Sequence, residues 1–147
     1  MNIRRANIED IPQLAALFDA YRVFYEKASD IEQAEIFLSE RIHKNESVIF
    51  VAENEAHMLT GFVQLYPLFS STRMKRFWLL NDLFITSEQR GKGISVALID
   101  AAKELCQTSG SCGMMLETAK SNLIGNNLYP KTGFELDEAH NYYSWDI

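Results

Sequence analysis

The chain is poor in cysteine and proline, with two and three among 147 residues. Cys106 and Cys112 are too few and too close together to build a disulfide framework. Cys106 also continues an apolar helical face, which favours a buried free thiol. No apolar run is long enough to span a membrane, and Met1-Asn2-Ile3-Arg4-Arg5 leads into an acidic helical segment without the apolar core of a secretory signal. These absences together lead us to expect a cytoplasmic protein with no membrane partner. An excess of basic residues is missing as well. Fourteen Lys and Arg stand against twenty Asp and Glu, a net charge of −6, which argues against generic nucleic-acid binding because phosphates need a basic surface. His43, His57 and His140 are scattered at no metal-ligand spacing, so no metal is expected. No linker, repeat or low-complexity tract divides the chain. With 47% hydrophobic residues, a single domain over 1–147 around one core is expected.

What is present is a glycine turn at a strand–helix junction. Trp78-Leu79-Leu80-Asn81-Asp82-Leu83-Phe84-Ile85 is rich in strand formers, and Ile94, Ala97, Leu98, Ala101, Ala102, Leu105 and Cys106 recur at helical spacing. Between them runs Glu88-Gln89-Arg90-Gly91-Lys92-Gly93-Ile94-Ser95. A turn of this kind leaves backbone N–H groups unpaired at the positive end of a helix dipole, which suits a phosphate or pyrophosphate. Gly91 and Gly93 permit dihedrals that other residues avoid, and Arg90 and Lys92 add full charges. By itself the turn favours phosphate binding only slightly over a tight corner. It lacks the Gly-Lys-Ser/Thr of a Walker loop and the full G-x-G-x-x-G of a dinucleotide fold.

The remaining pattern predicts a mixed α/β protein. A strand at Asn2–Arg5 precedes a helix capped by Asn7, with Pro12 in its first turn and Ile11, Leu14, Ala15, Leu17, Phe18 and Tyr21 on its apolar face. A second helix opens at Ser29 or Asp30. Strands follow at Val48–Ala52, Leu59–Tyr66 and Lys75–Thr86, then a helix over about Gly91–Thr108 and a buried strand at Met114–Glu117. A last helix spans about Asn122–Lys131, where Gly133 fits its stop. Phe134–Leu136 and Tyr142–Ile147 are expected to close the sheet as an antiparallel pair.

The segment Asn122-Leu123-Ile124-Gly125-Asn126-Asn127-Leu128-Tyr129-Pro130-Lys131-Thr132-Gly133-Phe134 narrows the reading. Together with the glycine turn it resembles the GCN5-related N-acetyltransferase (GNAT) superfamily. Arg90, Gly93 and Ser95 match its Q/R-x-x-G-x-G/A signature. Asn122, Gly125, Leu128, Tyr129, Lys131, Gly133 and Phe134 match its later N-x-x-A-x-x-L-Y-x-K-x-G-F motif. The resemblance extends over essentially the whole chain. Two departures stand out: Ser95 replaces Gly or Ala, and Gly125 replaces Ala at a helix-propensity cost of ~1 kcal/mol.

The resemblance implies a mostly antiparallel sheet with one splayed parallel pair and about four helices. It implies acetyl-CoA as cofactor, its pantetheine arm pairing with exposed backbone of Leu83, Phe84 and Ile85. Its pyrophosphate would lie on the N–H groups of Arg90, Gly91, Lys92, Gly93, Ile94 and Ser95. Asn122, Tyr129 and Lys131 would contribute from the last helix, and a homodimer is expected. Tyr129 is the candidate acid for the departing CoA thiolate, since tyrosine's reference pKa of about 10 leaves its proton available at neutral pH. Asp82 and Glu117 are alternative bases for the substrate amine, and Asn81 stands where some polyamine acetyltransferases carry Glu. Tyr21, Phe24, Tyr25 and Tyr66, with Phe69, are candidate walls of an acceptor pocket, with Glu26 or Asp30 for a cation. For the aromatics, packing of the first helices on the sheet is an equal alternative. The implied reaction is direct transfer to a primary amine of a small molecule, such as a polyamine, diamine or amino-acid derivative. A protein or peptide lysine or N-terminus is the alternative acceptor, and a non-catalytic acyl-CoA-binding regulatory module is the rival from another class.

Overall fold

The computed structural model describes residues 1–147, which divide into two compact units, Met1–Leu116 and Glu117–Ile147. The first holds a five-stranded sheet in spatial order β1-β2-β3-β4-β5, formed by Asn2–Arg5, Val48–Glu53, Leu59–Ser70, Lys75–Ile85 and Met114–Met115. The first three pairings are antiparallel, and β4 with β5 is parallel. Helices α1 (Ile11–Phe24) and α2 (Ile31–His43) cover one face, and α3 (Ile94–Thr108) connects β4 to β5. No helix is long and apolar enough to cross a membrane.

The local signals that start each helix are visible in the contacts. Asn7 accepts from Glu9 N–H at 2.8 Å while Asp10 accepts from Asn7 N–H at 2.8 Å, a reciprocal cap for the short 3-10 turn that leads into α1. Inside α1, the buried Asp19 carboxylate accepts from Ser29 Oγ at 2.6 Å and Asp30 N–H at 2.7 Å. Asp30 in turn caps α2 by accepting from Gln33 N–H. The connection between the two helices is thus held from within, with Asp30 serving as its cap. Tyr21 and Phe24 lie within the last turns of α1 rather than beyond it.

Strand alternation sorts the core into two layers. Ile49, Val51 and Phe62 meet Leu14, Ala15, Ala34 and Leu38 of α1 and α2. Val63, Leu65 and Leu80 point the other way, toward the side covered by the buried Leu98, Ile99 and Ala102 of α3. Each fully buried leucine of this kind contributes about 1.5–3 kcal/mol. One extra residue interrupts β4: Gln64 pairs with Asp82 and Leu65 with Leu80, leaving Asn81 as a bulge. The bulge switches the alternation. Without it Asp82 would share a face with Leu80; with it, Asp82 lies on the α1 side beside Gln64.

Gly61 on β3 is required by space. A Cβ there would stand 2.6 Å from Ile85 Cδ1 and 2.8 Å from the Phe84 carbonyl oxygen, which is backbone and cannot step aside. Gly61→Ala should therefore lower unfolding stability by about 1–3 kcal/mol, read from the urea midpoint. An unchanged midpoint would show that β4 can shift at its exit toward the glycine turn.

Two sequence expectations are corrected here. The strand at Met114 is two residues long and half-buried, not a buried run to Glu117. In the second unit, α4 (Leu123–Lys131) is followed by chain without strand structure, so Phe134–Leu136 and Tyr142–Ile147 form no antiparallel pair. Asp137 instead organises a local turn, accepting from Ala139 N–H, the His140 ring and the Tyr142 hydroxyl. Cys106 is a free, half-buried thiol rather than a fully buried one.

Candidate active site

The glycine turn folds as its sequence requires. Gly91 and Gly93 take φ of +74° and +78°, the left-handed region that costs glycine least. A Cβ at either would meet nothing within 4 Å, so dihedral freedom, not crowding, calls for glycine. Gly93 is the N-cap of α3, and no side chain caps that end. The first-turn N–H groups of Ile94, Ser95 and Val96 consequently have no intrahelical acceptor. The Arg90 N–H leans on the Ser87 carbonyl at 3.4 Å, so the outward donors begin at Gly91. Lys92 reaches the Gln89 side chain with its Nζ at 2.9 Å, and Ser95 lies half-buried in the first turn. An anion is the natural complement of this end.

Beside the turn, β4 is open. Its ladder with β5 comprises Trp78 with Met114 and Leu79 with Met115, and ends there. Thr86 N–H donates to the Thr60 carbonyl at 3.0 Å. Antiparallel alternation then directs the backbone groups of Phe84 toward β3 and those of Leu83 and Ile85 away from it. The outward backbone is thus that of Leu83 and Ile85, while Phe84's belongs to the sheet. The Ile85 carbonyl accepts from Arg90 Nε at 3.1 Å. The Arg90 guanidinium also lies 5.7 Å over the Phe24 ring and 5.9 Å over Phe84. Its side chain turns back on the strand.

The bulge places Asp82 in a buried polar cluster. Gln64 Nε2 donates to Asp82 Oδ2 at 2.8 Å, and Asn81 Nδ2 donates to Oδ1 at 3.1 Å. The Tyr21 hydroxyl also donates to the carboxylate. Ser47 Oγ donates to Gln64 Oε1 at 2.9 Å and so fixes which end of that amide faces Asp82. Burial raises the Asp82 pKa above the ordinary carboxylate value, and the donors from Gln64, Asn81 and Tyr21 offset part of the rise. Tyr66, on the same face as Gln64, is pushed up to about 12, by burial first and then by the Asp82 charge. Tyr21 meets Tyr25, Phe62 and Phe84 edge-on at 5.0–6.2 Å, and Phe24 meets Tyr25 at 5.3 Å. The structure thus gathers Tyr21, Phe24, Tyr25 and Asp82 around the C-terminal end of α1, and Glu26 follows on an exposed left-handed turn. Phe69 is not part of that wall, because it faces away and meets the Arg76 guanidinium at 5.3 Å. Gln64 was missed from sequence. Its signal was a polar residue inside an apolar strand.

The second unit carries the later motif. Asn122 caps α4 with its Oδ1 on Gly125 N–H at 3.0 Å and ties Nδ2 to Thr118 Oγ1 at 2.9 Å. A Cβ on residue 125 would stand 2.6 Å from Asn122 Nδ2 and 3.2 Å from Tyr129 Cε2, so glycine here leaves room for the cap. Pro130 is accommodated within the last turn of the helix, which continues to Lys131. Past it, Gly133 takes φ +84°. Phe134 N–H donates to the Tyr129 carbonyl at 3.0 Å and Gly133 N–H to Pro130 at 3.1 Å, the hydrogen-bond pair of a Schellman stop. The Phe134 ring meets the Tyr129 ring edge-on at 5.8 Å. Tyr129 is thereby fixed by the helix stop itself. Lys131 and Glu117 are exposed.

Comparison with known proteins finds this combination of an uncapped helix after a glycine turn and an opened parallel pair in an acetyltransferase family. The model of the Acetyltransferase (GNAT) family matches residues 14–134. The chain belongs to that family. It is 42% identical to the uncharacterized N-acetyltransferase YhfO of Bacillus subtilis (strain 168), over all of this chain and 98% of that one. The crystal structure of a "probable acetyltransferase" superposes with a TM-score of 0.95 at 35% identity, covering 100% of this chain and 98% of the other. An aminoglycoside acetyltransferase from an uncultured soil metagenomic sample, in complex with sisomicin, superposes with a TM-score of 0.81 at 25% identity, covering 99% and 96%. The protein is an acetyltransferase.

Proposed function

We propose that the chain transfers acetyl directly from acetyl-CoA to a primary amine of a small molecule. The observation that carries this reading is the uncapped start of α3 beside the outward backbone of Leu83 and Ile85. That pairing suits a ligand with a pyrophosphate and an amide-bearing arm. Asn122 and Lys131 are further cofactor contacts on this reading. Acetyl-CoA would supply the activated thioester. The similarity to an enzyme whose name specifies aminoglycosides, themselves small polyamines, supports a small amine as acceptor.

A buried Asp82 is reached through Tyr21. The Tyr21 hydroxyl accepts the amine's proton on its oxygen as it gives its own to the carboxylate, and the freed nitrogen attacks the acetyl carbon. Tyr129 protonates the departing sulfur as the C–S bond breaks, and the second proton shed by the new amide nitrogen passes through water to restore the phenol. Tyr66, kept neutral, offers a hydroxyl donor on the acceptor side. On this reading the chain works in the cytoplasm as a homodimer, with 1–147 as one N-acetyltransferase domain.

Calorimetry with acetyl-CoA, followed by thiol release with polyamines, amino acids and lysine peptides, tests the reading. We expect binding, with thiol release that depends on a small amine. Release only with peptides would move the acceptor class to proteins. Binding without release from any amine would favour the regulatory module.

A further inference from the structure

We propose that Arg90 is a positioning residue that links the glycine turn to the aromatic end of α1, so that a ligand on the turn orders the acceptor wall. The proposal rests on the reading of the turn as the CoA site. Three contacts carry it, all within the first unit. Arg90 Nε donates to the Ile85 carbonyl at 3.1 Å, and the guanidinium lies over Phe84 at 5.9 Å and over Phe24 at 5.7 Å. Phe84 belongs to the sheet, so two of these contacts hold the guanidinium on a rigid strand. The third reaches outward to Phe24, a residue that is 59% exposed.

Phe24 has little else to hold it. It is the last residue of α1, its ring meets the exposed Tyr25, and the backbone then enters the left-handed Glu26. The turn is likewise exposed to solvent at Gly91, Lys92 and Gly93. Each segment is a low-stability end joined to the other through one side chain. A ligand that pins the N–H groups of Gly91–Val96 also pins the Arg90 backbone. The guanidinium then has fewer positions to sample, and so does Phe24. Ordering one segment lowers the entropic cost of ordering the other, and the coupling is reciprocal. Acetyl-CoA would thereby prepare the Phe24–Tyr25 wall before the acceptor arrives.

Amide hydrogen exchange on the full chain, with and without CoA, tests this in the wild type and in Phe24→Ala. Tyr25, Glu26 and Lys27 donate their N–H groups to α1 carbonyls at 2.9–3.2 Å and report on the end of that helix. In the wild type, CoA should slow exchange in both 91–97 and 25–27. The gain at 25–27 should be roughly two- to fivefold, the size of one exposed cation–π contact. In Phe24→Ala, 91–97 should still be protected, 25–27 should show no gain, and CoA should bind roughly two- to fivefold more weakly. Protection of 91–97 without any change at 25–27 in the wild type overturns the proposal. So does a gain at 25–27 that survives Phe24→Ala. If CoA protects neither segment, the cofactor reading fails first and the coupling falls with it.

Discussion

Replacing Tyr129 with phenylalanine is expected to lower kcat by about 10²–10³-fold, within the range of a lost general acid, while acetyl-CoA affinity stays within about twofold. The expectation follows from how Tyr129 is held. Its carbonyl accepts from Phe134 N–H and from Thr132 Oγ1 at 2.9 Å, and its ring meets Phe134. Phenylalanine retains these ring and backbone contacts and removes the proton donor. A loss of stability would leave a different mark, in thermal unfolding rather than in kcat. The acid role has its own signature. An aryl thioester, whose thiol leaves without needing a proton, should react at nearly the same rate with the variant and the wild type. If the variant is equally slow with that donor, or undiminished with acetyl-CoA, protonation of sulfur by Tyr129 is wrong.

The same residues show why the helix stop was legible in the sequence and other features were not. The positions of Gly133 and Phe134 after Tyr129 are set by a motif in which every hydrogen bond spans five residues or fewer. The left-handed Gly91 and Gly93, the Asn7 and Asn122 caps, and the period of α3 are local in the same way. The Asn81 bulge is not. It exists because β3 and β4 pair out of step across a hairpin, and nothing near Asn81 announces it. The bulge sets which face Asp82 occupies, so its burial under Tyr21 was invisible too. The C-terminal expectation failed for a related reason. Tyr143, Trp145 and Ile147 alternate as a strand does, but a strand needs a neighbour's backbone, and these side chains are exposed. Arg90 illustrates the limit for a single residue. Its type suggests a phosphate contact, whereas its direction depends on Phe24, which lies 66 positions earlier in the chain.

Asp82→Asn is expected to lower kcat by about 10²-fold or more, the scale of a lost general base, and to abolish the acidic limb of the pH–rate profile. Asparagine is nearly isosteric but takes no proton. In the native cluster the carboxylate receives three donors, from Gln64, Asn81 and Tyr21. An amide can satisfy the cluster if Gln64 rotates its end groups, presenting Nε2 to Ser47 and Oε1 to the new amide. The fold should therefore persist, and its stability should change in a pH-dependent way with a definite sign. Burial raises the Asp82 pKa, so the native state holds this proton more tightly than the unfolded chain does. The carboxyl's contribution to stability is complete below the ordinary aspartate pKa and is lost as pH rises through the raised one. Asparagine lacks that loss, so the stability of the variant relative to the wild type should increase with pH across the window between them. Denaturant titrations at several pH values measure this apart from turnover. Glu117→Gln is the companion variant, because Glu117 is the other carboxylate considered for the role. Turnover lost in Glu117→Gln but kept in Asp82→Asn would transfer the base to Glu117. Loss in Asp82→Asn, reproduced in part by Tyr21→Phe, would place the proton's route through the tyrosine hydroxyl into the buried cluster.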